Sequence, residues 1–172
     1  MSEGRLSVGE WAVLCVVAEG RTHGFAVARA LARNGEVGVI WTVRRPLVYR
    51  AIDTLTAAGY VETVSEEPSP TGPPRRMIGA TRSGRAAVRR WLADPVEHLR
   101  DTRSLLLLKL LFLHRSGQDP RPLLEAQRTE FEAQRDSLRK RRATAKGFAP
   151  TVIAWRLESA NAALRFIAAQ LK

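Results

Sequence analysis

Cysteine is all but missing. Cys15 is the only one in 172 residues, which excludes an intramolecular disulfide and a multi-cysteine zinc site. Its place on an apolar helical stripe reads as core. Long apolar runs are missing too. The longest is Leu105 to Leu113, interrupted by Lys109, and a spanning helix needs roughly 20 residues. Histidine is sparse: His23, His98 and His114 lie too far apart for a ligand set, so no metal or cofactor is expected. The first five residues lack the basic region and apolar run of a secretory leader. These absences lead to the expectation of a cytoplasmic protein with no membrane partner. Acidic residues are outnumbered, 17 Asp+Glu against 28 Lys+Arg, giving a net charge of +11. Such a charge asks for an anionic partner, most commonly nucleic acid. Lysine supplies only 4 of the 28 cations, an arginine bias that a GC-rich genome also produces, so the placement of charge carries more than its total. Ser, His and Asp occur without a local context that marks a nucleophile and base, and no enzyme is expected.

What is present is a run of helical patterns. Residues 6–20 read as a first helix, with Ser7 and Glu10 at capping-box spacing and Leu6 and Trp11 placed for a hydrophobic staple. Trp11, Leu14, Cys15 and Ala18 form its stripe. Thr22 is read as the cap of a second helix running to about Arg33, with Phe25, Ala28, Leu31 and Ala32 inward. A third helix has Pro46 at its first position and ends at Gly59. Val48, Ala51, Ile52 and Leu55 share its buried face. Its other face carries Arg45, Tyr49, Arg50, Asp53 and Thr56. Arg45 stands where a Ser, Thr or Asp cap would be preferred, which suggests that its arm serves another purpose.

Residues 60–65 and 75–80 are strand-prone and flank a Pro-rich loop, 66–74, so they read as a hairpin with a stiffened tip. Thr81 caps a fourth helix to about Leu92, with Val88, Trp91 and Leu92 inward. Three helices and a hairpin within about ninety residues make a winged helix-turn-helix, whose third helix enters the major groove. Between residues 75 and 90 there are six Arg and no acid. Arg forks match guanine O6 and N7, which makes Arg45 the best candidate for a base contact. Arg44, Tyr49 and Arg50 accompany it. Arg75 and Arg76 on the wing would hold phosphate, and Thr22 and His23 are candidates at the second helix's entry.

These stretches resemble the PadR family of bacterial transcriptional regulators. The resemblance rests on Glu19-Gly20-x-Thr22-His23-Gly24-Phe25, on Val48-Tyr49-Arg50-Ala51-Ile52-x-x-Leu55-x-x-x-Gly59-Tyr60-Val61-Glu62, on Gly72-Pro73-Pro74-Arg75-Arg76 and on Thr81-x-x-Gly84. It covers residues 6–92 well and the remainder only in pattern. It implies a homodimeric DNA-binding regulator, usually a repressor of a nearby operon. The family's recognition helix commonly starts with small residues, whereas Pro46-Leu47 stand here.

Residues 93–100, with Asp94-Pro95, read as a linker between a winged-helix domain, 1–92, and a helical dimerisation domain, 101–172. The latter holds three helices: one opened by Asp101 or Thr102 and ended at Ser116-Gly117, one opened by Asp119-Pro120, and one opened by Pro150-Thr151. Leu124, Phe131 and Leu138 share a face that Gln127 and Gln134 dilute. Ile153, Leu157, Ala160, Leu164, Ile167 and Leu171 stripe the last helix. Leu105 to Leu113 is apolar on more than one face, so a second copy is expected to cover it. The candidate dimer residues are Leu107, Leu110, Leu111, Leu157, Leu164 and Ile167. A twofold dimer calls for double-stranded DNA with a pseudo-palindromic site. Many family members release DNA on binding a small aromatic or planar effector, for which Trp91, Phe112 and Trp155 are candidates, with core packing as the plainer reading. The fold class is mainly α with a small β-hairpin wing. The rival to a specific repressor is a sequence-tolerant architectural protein, which would spread its charge evenly.

Overall fold

A computed structural model describes residues 6–69 and 72–172. The first five residues and the tip of the hairpin, positions 70 and 71, lie outside the described residues. The chain divides into two compact units, Met1–Trp91 and Leu92–Lys172. Among the described residues no helix is long and apolar enough to cross a membrane.

The N-terminal unit is built around α1 (Val8–Ala18). Its capping box is closed: the Ser7 N–H donates to Glu10 Oε2 at 2.7 Å, and the Glu10 N–H donates to Ser7 Oγ at 3.3 Å. Burial exceeds a single stripe, since Ala12, Val13, Leu14, Cys15 and Val17 are all covered. Burial of each Val or Leu side chain contributes about 1.5–3 kcal/mol. A two-residue strand, β1 (Thr22–His23), precedes α2 (Gly24–Ala30). Thr22 is therefore not the cap. It pairs with Ile78 in a sheet, and His23 caps instead, its Nδ1 accepting the Ala26 N–H at 3.2 Å. With the helix shifted to start at Gly24, the buried residues are Val27, Ala28 and Leu31, while Phe25 is 52% exposed and Ala32 lies outside.

The segment between α2 and α3 is a series of turns anchored by buried Val37 and Val43, with the Val43 N–H donating to the Leu31 carbonyl. α3 spans Arg45–Ala57. Its cap is Arg44, without a side-chain bond; Arg45 and Pro46 fill the first two helical positions, one step earlier than the proline signal indicated. Gly59, at φ +74°, turns the chain after it.

The sheet has the order β1-β3-β2, all antiparallel, with β2 at Val61–Ser69 and β3 at Gly72–Ala80. Both wing strands run further than the proline content suggested. Pro68 is accommodated because it falls in an irregularity of register between Glu67 and Ser69 on an edge strand, where a missing N–H costs no ladder bond. α4 (Arg82–Ala93) is capped by Thr81, whose Oγ1 accepts the Gly84 N–H at 3.0 Å. Trp91 stacks on Trp11 with ring centroids 5.0 Å apart, docking α4 on α1.

The C-terminal unit contains α5 (Leu107–Arg115), α6 (Arg121–Arg142) and α7 (Ala149–Gln170). A 3₁₀ turn, Leu99–Asp101, and a π-helical turn, Thr102–Leu106, precede α5. Asp101 precedes and Thr102 opens the π-helical turn that continues into α5, without a side-chain cap; the Thr102 hydroxyl donates backward to the Leu99 carbonyl at 2.8 Å. Leu124, Phe131 and Leu138 are buried as their spacing predicts. Residues 139–142 are the last turn of α6, and a short connection with Gly147 at φ +62° leads to α7. Gln127 is fully buried. Its Nε2 donates to the Val96 carbonyl at 3.0 Å and its Oε1 accepts the Val96 N–H at 2.6 Å. Gln134 donates to the Glu97 carbonyl at 2.8 Å, and Lys109, also buried, donates to the Asp94 carbonyl. The two glutamines thus act as a polar clamp that a purely apolar stripe could not supply.

Candidate nucleic-acid interface

The exposed side of α3 carries Arg45, Tyr49, Arg50 and Asp53, while Val48, Ala51, Ile52 and Leu55 face the core. This division follows from period 3.6 and from nothing else. Arg45 is not a loose arm. Its guanidinium lies 5.3 Å from the centroid of the Phe25 ring and 5.8 Å from that of Tyr49. Each cation–π contact at an exposed site contributes about 0.5–1 kcal/mol, enough to restrict the rotamers of a long side chain. His23 stacks beside Phe25 at 6.4 Å. Because Nδ1 accepts the Ala26 amide, the neutral His23 ring carries its proton on Nε2, a donor suited to a phosphate oxygen.

Gly24 is what lets this arrangement form. A Cβ there would lie 2.7 Å from Tyr49 Cε1, so only glycine allows the tyrosine ring to lie against the entry of α2. Phe25 went unrecognised in the sequence because helical spacing assigned it to the core. The signal that could have found it is the His-Gly pair before it, which moves the helix start and rotates Phe25 outward.

The wing is less basic than the count between residues 75 and 90 implied. Folding brings Glu67 opposite Arg75 and Glu66 opposite Arg76. Arg76 Nη2 lies 3.6 Å from Asp53 of α3, tying the wing to the helix across the surface. Arg21 donates to Ser65 Oγ at 2.7 Å and lies 3.7 Å from Glu67, a second tether. Arg85 donates to the Ala80 carbonyl. Arg44, Arg45 and Arg50 therefore supply most of the uncompensated charge around α3. Thr22 is half-buried in the sheet. Removing Arg76 by Arg76→Ala is expected to weaken binding to all DNA about equally and to lower the salt slope by about 1. Adding Asp53→Asn should restore part of the loss, because an unpartnered carboxylate beside phosphate is removed; a salt titration of both variants checks this.

The remaining candidates disperse. Trp91 is stacked on Trp11, and Phe112 is buried in the C-terminal unit. Trp155, in contrast, is 74% exposed. Two of the three are consumed by packing. Of the dimer candidates, Leu157 and Ile167 are buried inside the chain itself, against α6 or its neighbours, whereas Leu107, Leu110, Leu111 and Leu164 are half-buried. The spacing also concealed a second apolar stripe on α7: Phe148, Val152 and Trp155 are all exposed. Among the described residues no three His, Cys, Asp or Glu converge on a metal site.

Residues 13–90 match the family profile of the transcriptional regulator PadR-like family. A comparison with curated proteins gives no match. Among solved structures, the chain is similar to Bacillus subtilis PadR in complex with operator DNA, at 19% identity and a TM-score of 0.48, covering 95% of this chain and 97% of that one. The same protein in complex with p-coumaric acid gives 18% identity and 0.46, covering 95% and 96%. A PadR-like transcriptional regulator from Bacillus cereus gives 15% and 0.41, covering 95% of each. These likenesses are too distant to transfer residues or ligands. The profile match spans most of α1 through most of α4, so the winged-helix part of this chain, on which Arg45 and Tyr49 are displayed, is similar to the PadR-like family of transcriptional regulators.

Proposed function

We propose that the chain is a homodimeric, sequence-specific DNA-binding repressor of a neighbouring operon. The observation that carries this reading is Arg45, whose guanidinium lies close to both the Phe25 and Tyr49 rings at the exposed entry of α3. A guanidinium fixed in direction before binding loses less entropy on docking, and its fork fits the O6 and N7 of a guanine. Arg44 and Arg50 flank it, and Arg75 and Arg76 on the wing hold phosphate, which positions the protein without reading sequence. His23 offers an Nε2 donor to the backbone. Dimerisation uses the half-buried leucines Leu107, Leu110, Leu111 and Leu164, which a second copy would cover. Release by a small aromatic or planar effector is part of the same reading.

Footprinting on the DNA flanking the chain's own coding region tests it. Two protected half-sites about one helical turn apart are expected from a twofold dimer. Diffuse binding that competitor DNA abolishes would instead support a sequence-tolerant architectural protein. Arg45→Ala is expected to lose about 1–3 kcal/mol of discrimination between cognate and random DNA, with non-specific binding little changed. Phe25→Leu should lose a smaller share of the same discrimination. Equal loss on all DNA in the Arg45 variant would remove its reading role.

A further inference from the structure

The first turn of α3 holds an apolar side chain outside the core. Leu47 is 44% exposed, whereas Val48, Ala51, Ile52 and Leu55 of the same helix are buried. At 3.6 residues per turn, Leu47 and Tyr49 stand about 200° apart, so they mark the two edges of the exposed side, with Arg50 and Asp53 falling between them. The Tyr49 edge holds Arg45 and lies against the entry of α2. The Leu47 edge differs in kind. Thr54 follows Leu47 along it, and the Thr54 hydroxyl is donated to the Arg50 carbonyl at 3.0 Å. The backbone of the turn is engaged as well. Pro46 has no N–H, and the Leu47 and Val48 N–H groups both donate to the Arg44 carbonyl, at 2.9 and 3.2 Å. What Leu47 presents there is hydrocarbon rather than a donor for phosphate.

We propose that Leu47 is a specificity-determining residue whose isobutyl group packs on the 5-methyl group of a thymine in the major groove, within the same half-site as the guanine met by Arg45. The proposal rests on the DNA-binding reading above and adds to it one residue and one base. Position decides the role. The N-terminal residues of a recognition helix are those that face base edges, and Leu47 is the third residue of α3. Chemistry decides the base, since the thymine methyl is the apolar group that unmodified DNA displays in its major groove. Dimensions decide the spacing. An α-helix with its side chains is about 10–12 Å across, and base pairs stack about 3.4 Å apart. The thymine is therefore expected within about three or four base pairs of the guanine. A merely solvated leucine is the plainer alternative, and it would not sense a single methyl group on DNA.

The test replaces each thymine of one footprinted half-site in turn by deoxyuridine, which removes only the 5-methyl group, and reads affinity by fluorescence anisotropy at fixed salt. The full-length protein is expected to bind about three- to five-fold weaker at one such position, the worth of one buried methyl group. Leu47→Ala should bind the unmodified site about three- to five-fold weaker and should no longer distinguish thymine from uracil there. Leu47→Met, apolar and of similar volume, should keep the distinction. Leu47 is exposed and alanine is a strong helix former, so Leu47→Ala should melt with the parent. The thymine-to-uracil ratio compares two DNAs on one protein, so a change in the variant's fold cancels from it. A discrete complex that no single uracil weakens would overturn the proposal and leave the DNA-binding reading standing. A methyl effect that persists in Leu47→Ala would overturn it as well, and would assign the contact to another residue. The absence of any discrete complex with the native protein would overturn both readings together.

Discussion

Gln127→Leu is expected to destabilise the C-terminal unit by about 2–5 kcal/mol, despite replacing a polar residue by an apolar one of similar size in a buried position. The reason lies in the pair of bonds that Gln127 makes to the Val96 N–H and carbonyl. Leucine would leave both backbone groups buried without partners, and each such group costs about 1–3 kcal/mol. The apolar gain offsets only part of that. Gln127→Asn should lose nearly as much, because its amide is one methylene short of the Val96 backbone. Thermal melting by far-UV circular dichroism reads the result, with each kcal/mol shifting the midpoint by about 4–8 °C for a unit of this size. A melting midpoint equal to the parent's would show that the clamp contributes nothing.

Gly38→Ala is expected to damage the N-terminal unit by about 3 kcal/mol or more and to abolish specific DNA binding. A Cβ at Gly38 would lie 1.7 Å from the Ala32 carbonyl oxygen and 2.6 Å from the Ala32 carbonyl carbon. Both are backbone atoms, so no side-chain rotation relieves the overlap. The segment also carries its own bonds: the Gly38 N–H donates to the Ala30 carbonyl at 3.1 Å, and the Thr42 hydroxyl donates to the Gly38 carbonyl at 2.9 Å. Displacing this segment displaces the entry of α3, only a few residues on. Circular dichroism and a gel shift on the footprinted site separate the two effects. A variant that melts like the parent and still binds specifically would contradict the steric argument.

These two positions also show where sequence reading stops. Gln127 lies between Leu124 and Phe131, which are seven residues apart, and the pattern alone marks it as a polar interruption. Its role depends on residue 96, which reaches it only after the chain has folded. Gly38 sits in a run of loop-forming residues where any glycine looks interchangeable; the carbonyl that forbids a side chain belongs to Ala32, placed there by the turn.

Local chemistry made other features legible. The capping box at Ser7, the buried face of α3, the turn at Gly59 and the cap at Thr81 each rest on contacts within a few residues, or on helical periodicity. The winged helix-turn-helix could be read from the sequence because it is the sum of such local signals in order. The roles of Arg76 and Phe25 were not local. Arg76 acquires Asp53 and Glu66 as neighbours only when the hairpin folds back against α3, and its charge is worth less at the surface than a count of arginines suggests.

The sequence by itself determined the order of the helices, the caps at Ser7 and Thr81, the buried face of α3 and the basic character of its exposed side, because those follow from spacing and from the chemistry of neighbouring residues. The tertiary structure alone decided that Arg45 lies close to the Phe25 ring as well as to Tyr49, that wing arginines are partly neutralised, and that two candidate dimer residues are buried within the chain. Each of these depends on at least one side chain distant in sequence, and sequence spacing carries no information about which of those the chain will bring together.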